Sequence, residues 1–62
     1  MTYEDILFEC ADGVATLTIN RPQHGNMMRH QTLLEMADAL RRLRDDPQLR
    51  LGVITGAGDR FF

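Results

Sequence analysis

The sequence predicts an α/β fold with the element order β-β-α-β, and three observations carry this prediction. Two short stretches of β-branched and apolar residues flank an Asp12-Gly13 pair. A longer stretch then repeats its apolar residues at helical spacing, and a compact apolar run follows it and ends in glycines. A helix between two strands favours a parallel strand pair joined by a crossover.

The first two strands are predicted to form an antiparallel hairpin over residues 6–10 and 14–19. Asp12-Gly13 lies between them, and an Asp-Gly pair tolerates the positive φ angles of a tight hairpin turn. Pro22 lacks an amide hydrogen and should end the second strand. Cys10, inside the first strand, is expected to be a small buried hydrophobe.

A helix is predicted from about His30 to Asp46, the residue before Pro47, because a residue that precedes proline avoids helical geometry. Its apolar residues lie at i, i+3, i+4, i+7 and i+10 and form one continuous face: Leu33, Met36, Ala37, Leu40 and Leu43. Glu35 and Asp38 are then expected on the polar face as solvated charges. Asp38 and Arg42 are spaced as an i, i+4 ion pair, which is worth about 0.3 kcal/mol.

Residues 51–55 form the third predicted strand, an apolar run suited to burial on both faces of a parallel sheet. A chain of 62 residues builds only a thin core. Cys10 is the sole cysteine, and the two histidines do not have zinc-site spacing, so neither a disulfide nor a metal can reinforce this core. We therefore expect a truncated domain whose helix and third strand need further polypeptide to cover their apolar sides.

Composition argues against several classes of partner. The net charge is −2 and the seven arginines are spread among nine acids, which gives no reason to expect nucleic acid. No apolar run approaches the roughly 20 residues of a membrane span, and the acidic N-terminus lacks the basic start of a signal peptide. A cytoplasmic protein with no membrane partner is the expectation.

The glycine turn after the third strand is compatible with a nucleotide-binding loop, but the details favour a plain turn. The dinucleotide fingerprint requires a third glycine where the chain has Phe61, and a phosphate-binding P-loop requires a lysine, which the chain lacks. Binding of NAD is therefore the weakest functional alternative.

The loop before the helix contains most of the residues that could contact a ligand. A catalytic His24 or His30 would need an orienting partner that the sequence does not identify, so an exposed loop histidine is favoured. Met27 and Met28 could line an apolar channel or anchor the loop to the core, and both interpretations stay open. Arg29 and His30 could hold an anion at the helix start, but a solvated basic pair is favoured.

Taken in order, these segments resemble the N-terminal quarter of the crotonase family, the enoyl-CoA hydratase/isomerase superfamily. The resemblance is carried by Gly13-Val14-Ala15-Thr16-Leu17-Thr18-Ile19-Asn20-Arg21-Pro22, by Asn26 four residues later, by Leu33-Leu34-Glu35-Met36, and by the run from Val53 to Phe62. It implies that residues 1–62 are the N-terminal β-β-α-β portion of a single, truncated domain with the crotonase-type (ββα) spiral fold.

The resemblance also implies an acyl-CoA-metabolising enzyme, most often an enoyl-CoA hydratase or isomerase. Family members stabilise a thioester enolate with two backbone amides. The first amide follows the phenylalanine that Phe62 resembles, so no catalytic residue is expected in this chain. The resemblance implies no tightly bound cofactor, because coenzyme A (CoA) is part of the substrate. It also implies that the full-length protein assembles as a homotrimer or hexamer. Thioester hydrolase, C–C bond hydrolase, isomerase and ring-forming synthase chemistries stay open.

The residues that the resemblance assigns to CoA binding are Gly25 and Met27, which flank the loop asparagine, with His24 adjacent. Met27-Met28 is bulkier than the Ala-Leu pair common in the family, and Gly25 cannot supply the basic side chain that some relatives use. An alternative from another class is a non-catalytic α/β module that completes a partner's sheet through the edge of its third strand.

Overall fold

The computed structural model describes residues 2–58 and confirms the order β-β-α-β. Strand β1 spans Ile6–Ala11, strand β2 Val14–Ile19, helix α1 His30–Asp45 and strand β3 Leu51–Gly56, with a single 3₁₀ turn at Pro22–His24. The residues after 58, including Phe61 and Phe62 of the family pattern, lie outside the described residues.

The three strands form one sheet in the order β1-β2-β3, with β2 in the centre. β1 pairs antiparallel with β2 from Ile6↔Ile19 to Ala11↔Val14. β2 pairs parallel with β3 from Val14↔Leu51 to Ile19↔Gly56. Asp12 and Gly13 both have positive φ angles, 54° and 80°, as a two-residue hairpin turn requires.

Helix α1 packs on the sheet through a face that overlaps the predicted apolar face only in part, at Met36 and Leu43. Its buried residues are Thr32, Glu35 and Ala39, whereas Leu33 and Leu40 of the predicted apolar face are 54% and 43% exposed. The helical period was predicted correctly, but the surface that meets this sheet is displaced around the helix. Small and polar side chains occupy it because they lie beside the start of β1, whose backbone amides need acceptors.

The core is therefore small. It consists of Ile6, Leu17, Ile19 and Ala39, with Tyr3, Phe8 and Met36 packed against it. Six other apolar side chains of α1 and β3 are at least 40% exposed, whereas Ala37 and Leu43 are half-buried. The six are Leu33, Leu34, Leu40, Leu51, Val53 and Ile54. β3 forms as predicted, but Leu51, Val53 and Ile54 stay largely exposed, and the covering that α1 provides includes Leu43 against Gly52. The expectation that this wall cannot enclose its own apolar side agrees with these exposures.

Two smaller expectations are wrong. Cys10 is exposed, because it lies near the hairpin end of a strand that has a neighbour on one side only among residues 2–58. Asp38 and Arg42 do not pair directly, because the Tyr3 hydroxyl lies between them. It donates to Asp38 Oδ2 at 2.7 Å and accepts from Arg42 Nη1 at 3.2 Å. The ion pair of Asp38 is with Arg41, at 3.7 Å.

Candidate functional site

The candidate site lies where the parallel strands β2 and β3 end. Their carboxyl ends share one edge of the sheet, and ligands of α/β sheets commonly bind outside such an edge. The loop of residues 20–29 leaves β2 at this edge, and Ala57 follows β3 there. A depression lined by Glu9, Ala11, Val14 and Thr16 lies at the hairpin end of the sheet and plays no part in this site.

The backbone N–H groups of residues 24–27 are directed into the loop itself. His24 and Asn26 both donate to the Arg21 carbonyl, at 2.9 and 2.7 Å, and Gly25 donates to Pro22 at 3.1 Å. Met27 donates to the His24 carbonyl at 3.1 Å. This tight turn requires consecutive left-handed residues, Gly25 with φ 63° and Asn26 with φ 57°, and both residue types tolerate that conformation.

At Gly25 this arrangement leaves a backbone acceptor for a ligand, because the amides of residues 24–27 are bonded within the loop. The amides of Gly25 and Met27 are already used, and the Met27 carbonyl accepts from the Arg21 guanidinium. Within residues 2–58 the Gly25 carbonyl oxygen has no hydrogen-bond partner, and Gly25 is exposed. The loop therefore offers a carbonyl oxygen that can receive an N–H or O–H donor.

Asn26 holds the loop in place, and sequence reasoning gave it no structural role. Its side chain is buried, and Oδ1 accepts from the Arg21 amide at 2.9 Å. Nδ2 donates to the Ala57 carbonyl at 2.8 Å, across to the segment that follows β3. A possible sequence signal was the Gly-Asn pair, since asparagine is among the few residues that favour the left-handed region.

The three residues assigned to ligand contact by resemblance, His24, Gly25 and Met27, lie together on the exposed side of this loop. Met27 is 71% exposed and Met28 44% exposed. The interpretation that these methionines anchor the loop to the core is therefore wrong. Their contact with a ligand stays a prediction.

Arg29 at the helix start is not a freely solvated base as expected. Its guanidinium makes a bidentate pair with Asp5, with Nε to Oδ2 and Nη2 to Oδ1 both at 2.7 Å. The Thr32 hydroxyl also donates to Asp5, at 2.7 Å, and accepts from the Arg29 amide at 3.2 Å. Hydrogen bonds from Arg29 and Thr32 hold the pKa of Asp5 far below its usual range. The positive charge of Arg29 is thus largely balanced by Asp5 within the fold.

Glu35 is fully buried, which corrects the expectation of a solvated charge. Its Oε1 accepts the backbone amides of Glu4, Asp5 and Ile6 at 3.0, 2.8 and 3.2 Å, and Oε2 accepts from Gln31 at 2.6 Å. Burial alone would raise the pKa of Glu35. The hydrogen bonds from Gln31 and the three amides outweigh burial, so the pKa is lowered.

Arg21 is the loop arginine that can attract an anionic ligand, because Arg29 is paired with Asp5. No acidic residue occurs between Asp12 and Glu35, whereas this interval contains Arg21, Arg29 and both histidines.

Among residues 2–58 no group of acidic, histidine or cysteine side chains could hold a metal ion. In the same part of the chain, no helix has the length and apolar character needed to cross a bilayer.

Comparison with known proteins agrees with this architecture. The family model described as enoyl-CoA hydratase/isomerase matches residues 9–62. The chain is 45% identical over all 62 residues to the crotonyl-CoA hydratase of Syntrophomonas wolfei, of which it covers 24%.

Two solved structures share the fold. An enoyl-CoA hydratase/isomerase from Xanthobacter autotrophicus Py2 superposes with a TM-score of 0.94 at 35% identity, over 97% of this chain and 22% of that one. A carnitinyl-CoA dehydratase from Mycobacterium avium 104 gives 0.90 at 37% identity, over 97% of this chain and 23% of that one. The chain spans about a quarter of the length of these relatives. Its three-stranded sheet and helix match the corresponding part of their crotonase fold, so the chain belongs to the crotonase, or enoyl-CoA hydratase/isomerase, superfamily.

Proposed function

We propose that this chain forms part of an acyl-CoA-metabolising enzyme of the enoyl-CoA hydratase type, in which residues 21–29 provide one wall of the CoA site. The observation that carries the proposal is that Gly25 is exposed and its carbonyl oxygen has no partner among residues 2–58, whereas the amides of residues 24–27 are bonded within the loop. The relatives support it, since two of them are named for CoA thioesters that gain or lose water.

The chemistry of CoA fits what the loop offers. CoA has N–H donors on its adenine amine and on the two amides of its pantetheine arm, and a carbonyl oxygen accepts from such groups. Its phosphates are anionic, which suits Arg21, the loop arginine whose guanidinium donates to a neutral carbonyl and not to a carboxylate. Met27, 71% exposed beside Gly25, can cover the apolar part of the same ligand.

The two buried carboxylates, Asp5 and Glu35, are unsuited to acid–base catalysis. A general acid at neutral pH needs a raised pKa, whereas those of Asp5 and Glu35 are lowered by the groups that they bind. Both side chains are buried and hydrogen-bonded within the fold. The chain therefore binds and orients the CoA thioester, and we assign proton transfer and enolate stabilisation to chain beyond residue 58.

The proposed reaction is addition of water across the double bond of an enoyl-CoA. The thioester carbonyl becomes an enolate as water adds, and preorganised amides stabilise that charge. Isomerisation of the double bond uses the same enolate, and the residues that separate the two reactions are not among 2–58.

The experiment that tests this proposal is a chimera in which residues 1–62 replace the matching quarter of the S. wolfei crotonyl-CoA hydratase. We expect it to bind CoA in isothermal titration calorimetry and to hydrate crotonyl-CoA. Replacing Gly25 by phenylalanine should weaken CoA binding at least about tenfold, since the aromatic ring would occupy space that is open beside Gly25.

Asp12→Phe is the matched control. Asp12 and Gly25 have similar positive φ angles, 54° and 63°, so both variants place the same ring on the same strained backbone. Asp12 lies at the hairpin, at the other end of β2, and its variant should bind CoA like the parent chimera. A chimera without CoA affinity, or a Gly25→Phe chimera with unchanged affinity, would refute the proposal.

A second candidate function is a module that completes a partner's sheet. The exposed apolar side chains of the edge strand β3 favour it, since an edge strand can pair with another chain. This function predicts that the 62-residue chain folds as a monomer, has no CoA affinity and binds a partner through β3. Aggregation of the chain alone, with CoA binding by the chimera, would exclude it.

A further inference from the structure

We infer that Asn26 is a positioning residue for CoA: it fixes the loop that presents Gly25 and Met27 by bonding it to the segment after β3. The inference rests on the proposed function, because it assumes that residues 21–29 contact CoA. It goes beyond that proposal because it assigns the geometry of the site to one buried side chain that has no direct contact with the ligand.

The side chain of Asn26 joins two segments that are far apart in sequence. It is 1% exposed, with Oδ1 on the Arg21 amide at 2.9 Å and Nδ2 on the Ala57 carbonyl at 2.8 Å. The Asn26 amide also donates to the Arg21 carbonyl at 2.7 Å. Asn26 thus contacts the chain just after β2 and just after β3.

Ala57 is itself fixed to the sheet. Its amide donates to the carbonyl of Ile19, the last residue of β2, at 2.8 Å. The Asn26–Ala57 bond therefore attaches the loop to a backbone position that the parallel strands already define. Among residues 2–58 no backbone hydrogen bond joins residues 22–25 to β3, so none can replace this attachment.

Gly25 and Met27 are the immediate neighbours of Asn26 on either side, so any displacement of Asn26 moves both. A shift of about 1 Å in a positioning group is enough to lower activity substantially. Since Asn26 does not touch the reacting atoms, its loss should act on substrate binding and leave the chemical step nearly unchanged.

Three variants of the chimera separate position from strain. Asn26→Gly removes the side-chain bonds to Arg21 and Ala57 and keeps the left-handed backbone without strain. Asn26→Asp keeps an acceptor for the Arg21 amide and tolerates positive φ, but places a carboxylate oxygen against the Ala57 carbonyl. Asn26→Ala can be compared with Asp12→Ala, because φ is 57° at one position and 54° at the other.

For Asn26→Gly and Asn26→Asp we expect the Kd for CoA and the KM for crotonyl-CoA to rise at least fivefold, and kcat to stay within about threefold. Asp12→Ala should lower thermal stability without changing either binding constant. The result that overturns the inference is a chimera that binds CoA while its Asn26→Gly and Asn26→Asp variants bind it equally well, whatever their stability. A parent chimera that does not bind CoA is a different result, since it refutes the proposed function itself.

Discussion

Replacing Glu35 by alanine should destabilise the fold far more than removal of any exposed acid. In the structure Oε1 of Glu35 accepts hydrogen bonds from the backbone amides of residues 4–6, which lead into β1. Oε2 accepts a hydrogen bond from the side-chain amide of Gln31. The alanine variant removes every one of these acceptors from a site with no solvent exposure. Residues 4–6 would then lose the contact that holds them against α1.

The size of the effect follows from the number of groups left without a partner. A buried donor that loses its partner costs about 1–3 kcal/mol. Three amides share one oxygen, and the Ile6 contact is the longest at 3.2 Å, so their contributions do not add fully. We expect Glu35→Ala to lower the free energy of unfolding by about 3 kcal/mol, or about 6–12 °C in Tm for a domain of about 150–250 residues.

Urea unfolding of the chimera measures this change, with Glu9→Ala as the matched control. Glu9 is an exposed acid on β1, and its removal should change the free energy of unfolding by less than about 0.5 kcal/mol. Glu35→Gln keeps the shape and loses the charge, so its cost should be intermediate.

The charge also sets a pH dependence. The folded-state pKa of Glu35 lies below its ordinary value of 4.5, so the ionised carboxylate stabilises the fold above that value. This contribution is lost as pH falls through the lower folded-state pKa, and the gap between parent and Glu35→Gln should narrow there. If Glu35→Ala were no more destabilising than Glu9→Ala, or if the gap widened in acid, the buried-acceptor assignment would be wrong.

Three further predictions concern stability. Asp5→Asn should lower Tm at neutral pH, because it removes the negative charge that pairs with Arg29. This decrease in Tm should become smaller below pH 3.8, the ordinary pKa of an Asp side chain, and thermal melts at several pH values measure it. Gly52→Ala should lower the free energy of unfolding by about 1 kcal/mol or less, because its new methyl group meets only the movable end of the Leu43 side chain. Gly25→Ala should lower it by about 1–2 kcal/mol, because alanine is strained in the left-handed conformation. Urea unfolding that reversed this order would contradict both assignments. The isolated 62-residue chain should lack a cooperative melt, since its apolar outer surface is uncovered; well-dispersed amide resonances with a sharp melt would contradict this.

The elements whose signals are local could be predicted from the sequence. β2 and its hairpin follow from alternation and from Asp12-Gly13, and the structure has them at the expected positions. Helix α1 begins at His30 as expected and ends within a residue of the predicted position, because Pro47 stops it. Pairing of β2 with β3 follows from a helix placed between two strands.

The packed face of the helix could not be predicted, because its determinants are not local. Hydrophobicity placed Leu33 and Leu40 inward and Glu35 outward. In the structure Glu35 faces inward because its partners are amides about 30 residues earlier in the chain. The pattern of apolar residues in a helix does not show that backbone amides far away in the sequence need a hydrogen-bond acceptor.

The candidate site was located by resemblance, but its chemistry required coordinates. The sequence placed Gly25 and Met27 on a loop after β2. It could not show that their amides are bonded within the loop, nor that Asn26 reaches Ala57, 31 residues away. Both facts depend on the left-handed backbone conformation of Gly25 and Asn26. Glycine and asparagine tolerate this conformation but also adopt others, so their presence in the sequence does not predict it.

A crystal structure of the chimera with CoA is the most direct test of the central claim, that the loop binds CoA through an outward carbonyl. We predict an N–H donor of CoA within about 3.2 Å of the Gly25 oxygen, with the loop amides still bonded internally. CoA bound elsewhere, or bound by the amides of Gly25 and Met27 after the loop has opened, would contradict the account.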